Sequence, residues 1–148
     1  MGTHYRGTPE QIRALDAFIK LKRAAESLSS RLASRLSDAG LTESQFGTLE
    51  ALFHLGPLCQ RELGSKLLSS RGNITMVVDN LEKRGLVRRE RDEADRRYVT
   101  VHLTDPGREL ISAIFPDHVE AIRSEMGVLN DEELETVGRL CRRLGRRG

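Results

Sequence analysis

The chain has no tryptophan, and aromatic residues make up 4% of it, so its interior has to be built mainly from Leu, Ile, Val and Ala. That composition favours helices. Cysteine is also scarce: Cys59 and Cys141 are too few and too far apart for a disulfide scaffold or a metal cluster. No window approaches the roughly 18 consecutive apolar residues of a membrane span, and the opening MGTHYRGTPE lacks the apolar run of a secretory signal. A cytoplasmic location is the expectation. His4, His54, His102 and His118 form no i, i+4 pair and have no C-x-x-C neighbour, which argues against a metal site. A nucleophile beside a base, a glycine-rich phosphate loop and clustered carboxylates are equally missing, so neither an enzyme nor a resident cofactor is expected.

What is present fits one domain: 148 residues, 38% apolar and 31% charged. The net charge of +2 hides an uneven distribution. From Thr104 to Gly138 nine acids face Arg108 and Arg123, whereas Arg139 to Gly148 carries five arginines and no acid. Arg71 to Arg97 holds eight basic and six acidic residues, only mildly positive, so charge alone does not identify a nucleic-acid binder.

Apolar residues at Ile12, Leu15, Phe18, Leu21, Ala25, Leu28, Leu32 and Leu36 recur in steps of three or four and predict a long amphipathic helix ending at Ala39-Gly40. Thr42 to Gln45 has the spacing of a capping box, opening a second helix through Phe46, Leu49, Leu52 and Phe53 that Gly56-Pro57 stops. A third helix is expected from Gln60 to Leu67 and a fourth from Ser70 to Gly85, with Ile74, Val77, Val78 and Leu81 inward. Leu86 to Arg91 and Tyr98 to Leu103 then read as two strands, the second alternating Val99, Val101 and Leu103 with polar neighbours. Thr104-Asp105-Pro106 restarts helix through Leu110, Ile111, Ile114, Val119, Ile122 and Met126, with a kink expected at Pro116. A last helix from Asn130, with Glu133 at capping-box spacing, is expected to bury Leu134, Val137, Leu140 and Leu144.

The fold class is therefore mainly α with a small β-hairpin: helices, a recognition-type helix and a hairpin, the order of a winged helix-turn-helix. The fourth helix would enter a major groove by its polar start, while the charged hairpin loop, Asp92 to Arg97, would reach an adjacent minor groove. A narrow minor groove has enhanced negative potential and favours an inserted arginine. Arg96 and Arg97 supply such a tip.

These residues resemble a known family. The segment ELGSKLLSSRGNITMVVDNLEKRGLVRRERDEADRRYVTVHLTDPGREL, Glu62 to Leu110, is similar to the DNA-binding core of the MarR family of bacterial transcription regulators. Most specific are LEKRGLVRR at Leu81 to Arg89, the D-x-R of Asp95 and Arg97, and V-x-L-T-x-x-G from Val101 to Gly107. The resemblance implies a DNA-binding lobe at 42–104 and dimerisation helices at 10–40 and 105–148. It further implies a homodimer that reads double-stranded DNA at a pseudo-palindromic operator, typically a repressor released by a small ligand or by oxidation.

Carried over residue by residue, Arg97 would enter the minor groove and Asp95 would hold the wing arginines, through Arg89. Ser69, Ser70, Arg71, Asn73 and Thr75 would face bases or phosphates, although serines at a helix start also serve as plain caps. Apolar stripes on the long helices exceed what one compact lobe can hide, which calls for a second copy. A small-molecule effector would sit between dimer helices and DNA-binding lobe, with Phe18, Phe46, Phe53, His54 and Phe115 as candidate lining or as ordinary core. Both cysteines are expected to be buried, inert thiols, with Cys141, beside Arg139, Arg142 and Arg143, the better candidate for activation. The competing reading is a winged-helix protein-interaction module without DNA binding, which would not need Arg97.

Overall fold

The computed structural model describes residues 3–67 and 71–145, without the side chains at 71 and 72. Six helices and three short strands follow in the order α1 (Pro9–Asp38), α2 (Glu43–Leu55), β1 (Leu58–Cys59), α3 (Gln60–Lys66), α4 (Arg71–Lys83), β2 (Val87–Arg91), β3 (Val99–Leu103), α5 (Asp105–Met126) and α6 (Asp131–Gly145). Side-chain caps set several of the starts. Thr42 accepts from the Gln45 amide at 3.1 Å while Gln45 accepts from the Thr42 amide at 2.9 Å, and Thr8 with Gln11 and Asn130 with Glu133 repeat the exchange.

The expected hairpin is part of a three-stranded antiparallel sheet in the order β1-β3-β2. Leu58 pairs with Val101 and Cys59 with Thr100, so the wing is tied back to the start of α3. A two-residue strand has too little pattern to be read from sequence. The core lies under this sheet: Leu49, Leu63, Val78, Leu81, Val101 and Ile111 are fully buried, each contributing about 1.5–3 kcal/mol by leaving water.

Two of the sequence motifs define one corner. Gly85, at φ +74°, ends α4 with the Leu86 amide donating to the Leu81 carbonyl and the Gly85 amide to the Glu82 carbonyl, both at 3.0 Å. That turn aims Leu86 and Val87 into the core. Thr104 closes the corner from the other side. Its hydroxyl donates to the Gly85 carbonyl at 2.6 Å and accepts from the Gly107 amide at 3.2 Å, while its own amide donates to the Leu86 carbonyl. A Cβ on Gly107 would overlap that same Leu86 carbonyl, so the run V-x-L-T-x-x-G records a backbone-on-backbone approach.

One expectation about the outer helices fails within the single chain. No residue of α6 is buried: Val137, Leu140 and Leu144, expected in the core, remain exposed, as do Phe18 and Leu21 of α1. The stripes are where the periodicity placed them, but one copy supplies nothing to cover them. Pro116 lies inside α5, which runs from Asp105 to Met126. Among the described residues no helix is long and apolar enough to cross a membrane.

Candidate nucleic-acid interface

The wing tip is built on hydrogen bonds within its own loop. The Asp92 carboxylate accepts the Ala94 amide at 2.8 Å, the Asp92 amide donates to the Tyr98 carbonyl, and Arg91 donates to the Arg96 carbonyl. Asp95 then takes Arg97 in a fork: Nε on Oδ1 at 3.0 Å and Nη2 on Oδ2 at 2.9 Å, with the Arg97 amide on Oδ1 as well. The Arg97 side chain is 89% exposed, so the fork orients the guanidinium without withdrawing it from solvent. The Arg97 guanidinium, and secondly its amide, hold the Asp95 carboxyl below the usual carboxylate range.

Arg89 does something else. The expected partnership between Asp95 and Arg89 is not formed, because the side chain of Arg89 is turned inward, toward α4. Its Nη2 meets Asp79 at 2.7 Å and the Thr75 carbonyl at 3.3 Å, its Nη1 meets Glu82 at 3.0 Å, and its Nε donates to Gln60 at 3.2 Å. The Glu82 carboxylate also accepts the Arg89 amide at 2.9 Å. Arg89 therefore clamps β2 to α4 and α3 instead of facing outward as a DNA ligand. The reason is positional: strand alternation sends residue 89 to the face opposite Arg88, over the last turns of α4.

On α4 itself, Asn73, Thr75 and Met76 are exposed, Met76 at 63%. Thr75 Oγ1 accepts from Gln60 at 2.8 Å, which fixes the side of α4 next to α3. Ser69 and Ser70 lie outside the described residues, as does the side chain of Arg71. Arg97 and Tyr98 on the wing and Ile74 and Thr75 on α4 thus flank the start of α3, where Gln60 and Arg61 sit. Sequence reasoning missed Gln60, Arg61 and Met76; a seven-residue helix offers too little periodicity to sort its faces.

A second cluster sits where α2 meets α5. Phe46 stacks on Phe115 at 6.2 Å between centroids, His54 meets Phe115 at 4.8 Å, and Phe53 meets His54 at 5.2 Å. Four of the five proposed effector-lining residues therefore come together, whereas Phe18 stands exposed on α1 and joins none of these ring contacts. The residue missed here is His118, whose ring lies 4.3 Å from Phe46. Its Nδ1 is buried without a hydrogen-bond partner among the described residues, and burial pushes the imidazole below its ordinary value against the opposing pull of Glu50 and Glu43. His118, Phe46 and Phe115 line an open cavity of about 480 Å³ that also includes Lys66 and Glu50. Cys59 is half-buried and caps α3, while Cys141 is exposed and not buried as expected. No group of three or more potential metal ligands occurs among the described residues.

Comparison with known proteins gives a consistent picture. Residues 41–99 match the family model described as MarR family. The chain is 35% identical over 133 residues to the HTH-type transcriptional regulator MhqR of Bacillus subtilis, covering 90% of this chain and 92% of that protein. Among solved structures, Sco3205, a MarR family transcriptional regulator from Streptomyces coelicolor in complex with DNA, superposes with a TM-score of 0.84 at 28% identity, over 96% of this chain and 90% of the other. Bordetella bronchiseptica BpsR, solved to explain regulation of its DNA binding by 6-hydroxynicotinic acid, gives 0.81 at 28% identity, over 87% and 98%.

Proposed function

The chain belongs to the MarR family, and from that premise we propose that it is a homodimeric, sequence-specific DNA-binding transcriptional regulator, released from its operator by a small ligand or by oxidation. The observation that carries this reading is the pairing of an exposed α4 with an exposed Arg97 that Asp95 holds in a fixed orientation. A solvated loop has no need of a bidentate grip on an outward-pointing guanidinium. A minor-groove probe does, because ordering the side chain before binding lowers the entropy cost of inserting it.

Exposed Phe18, Leu21, Ile122, Val128, Val137, Leu140 and Leu144 lie on or beside α1, α5 and α6 and support burial against a second copy. Two-fold symmetry would then set two α4 helices about one DNA turn apart. The Phe46, Phe115 and His118 cavity lies between α2 of the reading head and α5 of the dimerisation helices. A ligand there acts by preferring one separation of the two heads over another. BpsR, regulated by an aromatic acid, suggests small aromatic acids as the first compounds to try.

The test is selection of duplexes from a random pool, followed by fluorescence anisotropy on the selected sequence across a salt series. Saturable, salt-sensitive binding to a two-fold-related site is the expected result. Failure to select any duplex with a folded dimer would replace this reading by the protein-interaction module.

A further inference from the structure

Two open grooves meet at the start of α3. One, of about 410 Å³, includes Arg97 and Tyr98 of the wing; the other, of about 290 Å³, includes Ile74 and Thr75 of α4. Gln60 and Arg61 line both, so the two form one trough running from α4 across α3 to the wing. Gln60 is committed to the protein, donating to Thr75 and accepting from Arg89. Arg61 is exposed and makes no hydrogen bond or ion pair among the described residues. The neighbouring Glu62 does not neutralise it, since that carboxylate is turned back onto the Cys59 amide at 3.1 Å.

A duplex that receives α4 in its major groove and the wing in the adjacent minor groove presents one sugar-phosphate strand between them. The trough is the path left open for that strand. We propose that Arg61 seats a backbone phosphate there. The inference rests on the DNA-binding reading above. A guanidinium matches the phosphate oxygens with paired N–H donors, and such a contact fixes the register of the protein on DNA without reading sequence. Arg61 thereby couples the placement of α4 to that of the wing.

The experiment compares wild type, Arg61→Ala and Arg61→Lys by anisotropy on the selected duplex and on a scrambled duplex of equal length, over a salt series. Arg61→Ala is expected to weaken both duplexes by the same factor, about five- to tenfold, and to flatten the slope of log K against log salt by about two, one for each protomer of the dimer. Arg61→Lys restores the slope. A neutral methylphosphonate between the two contacted grooves of each half-site costs wild type a similar factor and costs Arg61→Ala nothing more. A wild-type slope in Arg61→Ala overturns the proposal, and so does a loss confined to the selected duplex, which would make Arg61 a base reader. If Arg97→Ala loses affinity while Arg61→Ala does not, this inference alone fails; if wild type binds neither duplex, the DNA-binding reading fails.

Discussion

Asp95 grips Arg97 through both carboxylate oxygens, at 3.0 and 2.9 Å, while leaving the arginine side chain 89% exposed. The carboxylate acts through the arginine, and a double-mutant cycle separates the two roles. Arg97→Ala is expected to weaken operator binding by about five- to a hundredfold with the dimer intact. Asp95→Ala alone should cost less, and the double variant no more than Arg97→Ala. Equal, additive losses would mean that Asp95 contributes independently of Arg97.

Arg89 predicts a different signature. Its bonds to Asp79, Glu82 and Gln60 join three elements, so Arg89→Ala should lower folding stability by about 1–3 kcal/mol in urea unfolding as well as weaken DNA binding. Weaker DNA binding at wild-type stability would instead mark Arg89 as a direct DNA ligand.

Gly107 tests the corner between wing and α5. A methyl group there meets the Leu86 carbonyl, which the Thr104 amide also occupies, so neither can retreat without breaking the turn after Gly85. Gly107→Ala is expected to cost more than about 2 kcal/mol in thermal unfolding. A variant within a few tenths of wild type would mean that α5 shifts freely on the sheet.

His118 gives a pH dependence. Burial lowers its pKa in the folded state, so below the ordinary histidine range the unfolded chain binds the proton more readily. Stability contributed by neutral His118 is complete above the unfolded value and falls as pH drops through the folded one. Urea unfolding of wild type should therefore lose stability between neutral and mildly acidic pH, with a shallower loss in His118→Gln. Identical pH slopes would assign the effect to other groups.

The sequence by itself determined the six helices, the two hairpin strands and their order. Helical stripes, the reciprocal caps of Thr42 with Gln45 and Asn130 with Glu133, and the Gly85 turn are local, and each follows from spacing within a few residues. It also put Asp95 and Arg97 two residues apart at the wing tip, but it paired Asp95 with Arg89, and only the structure showed the fork to Arg97. Tertiary structure decided the contacts between distant segments. Arg89 looked like a wing arginine until strand alternation turned it onto Asp79 and Glu82. His118 carried no signal until α5 packed on α2 and buried its ring against Phe46. The start of α3 faces both α4 and the wing only because β1 pairs with β3, an event of two residues that no periodicity could announce. Local hydrogen bonding is written in neighbouring residues; which face of an element meets another depends on packing across the whole chain.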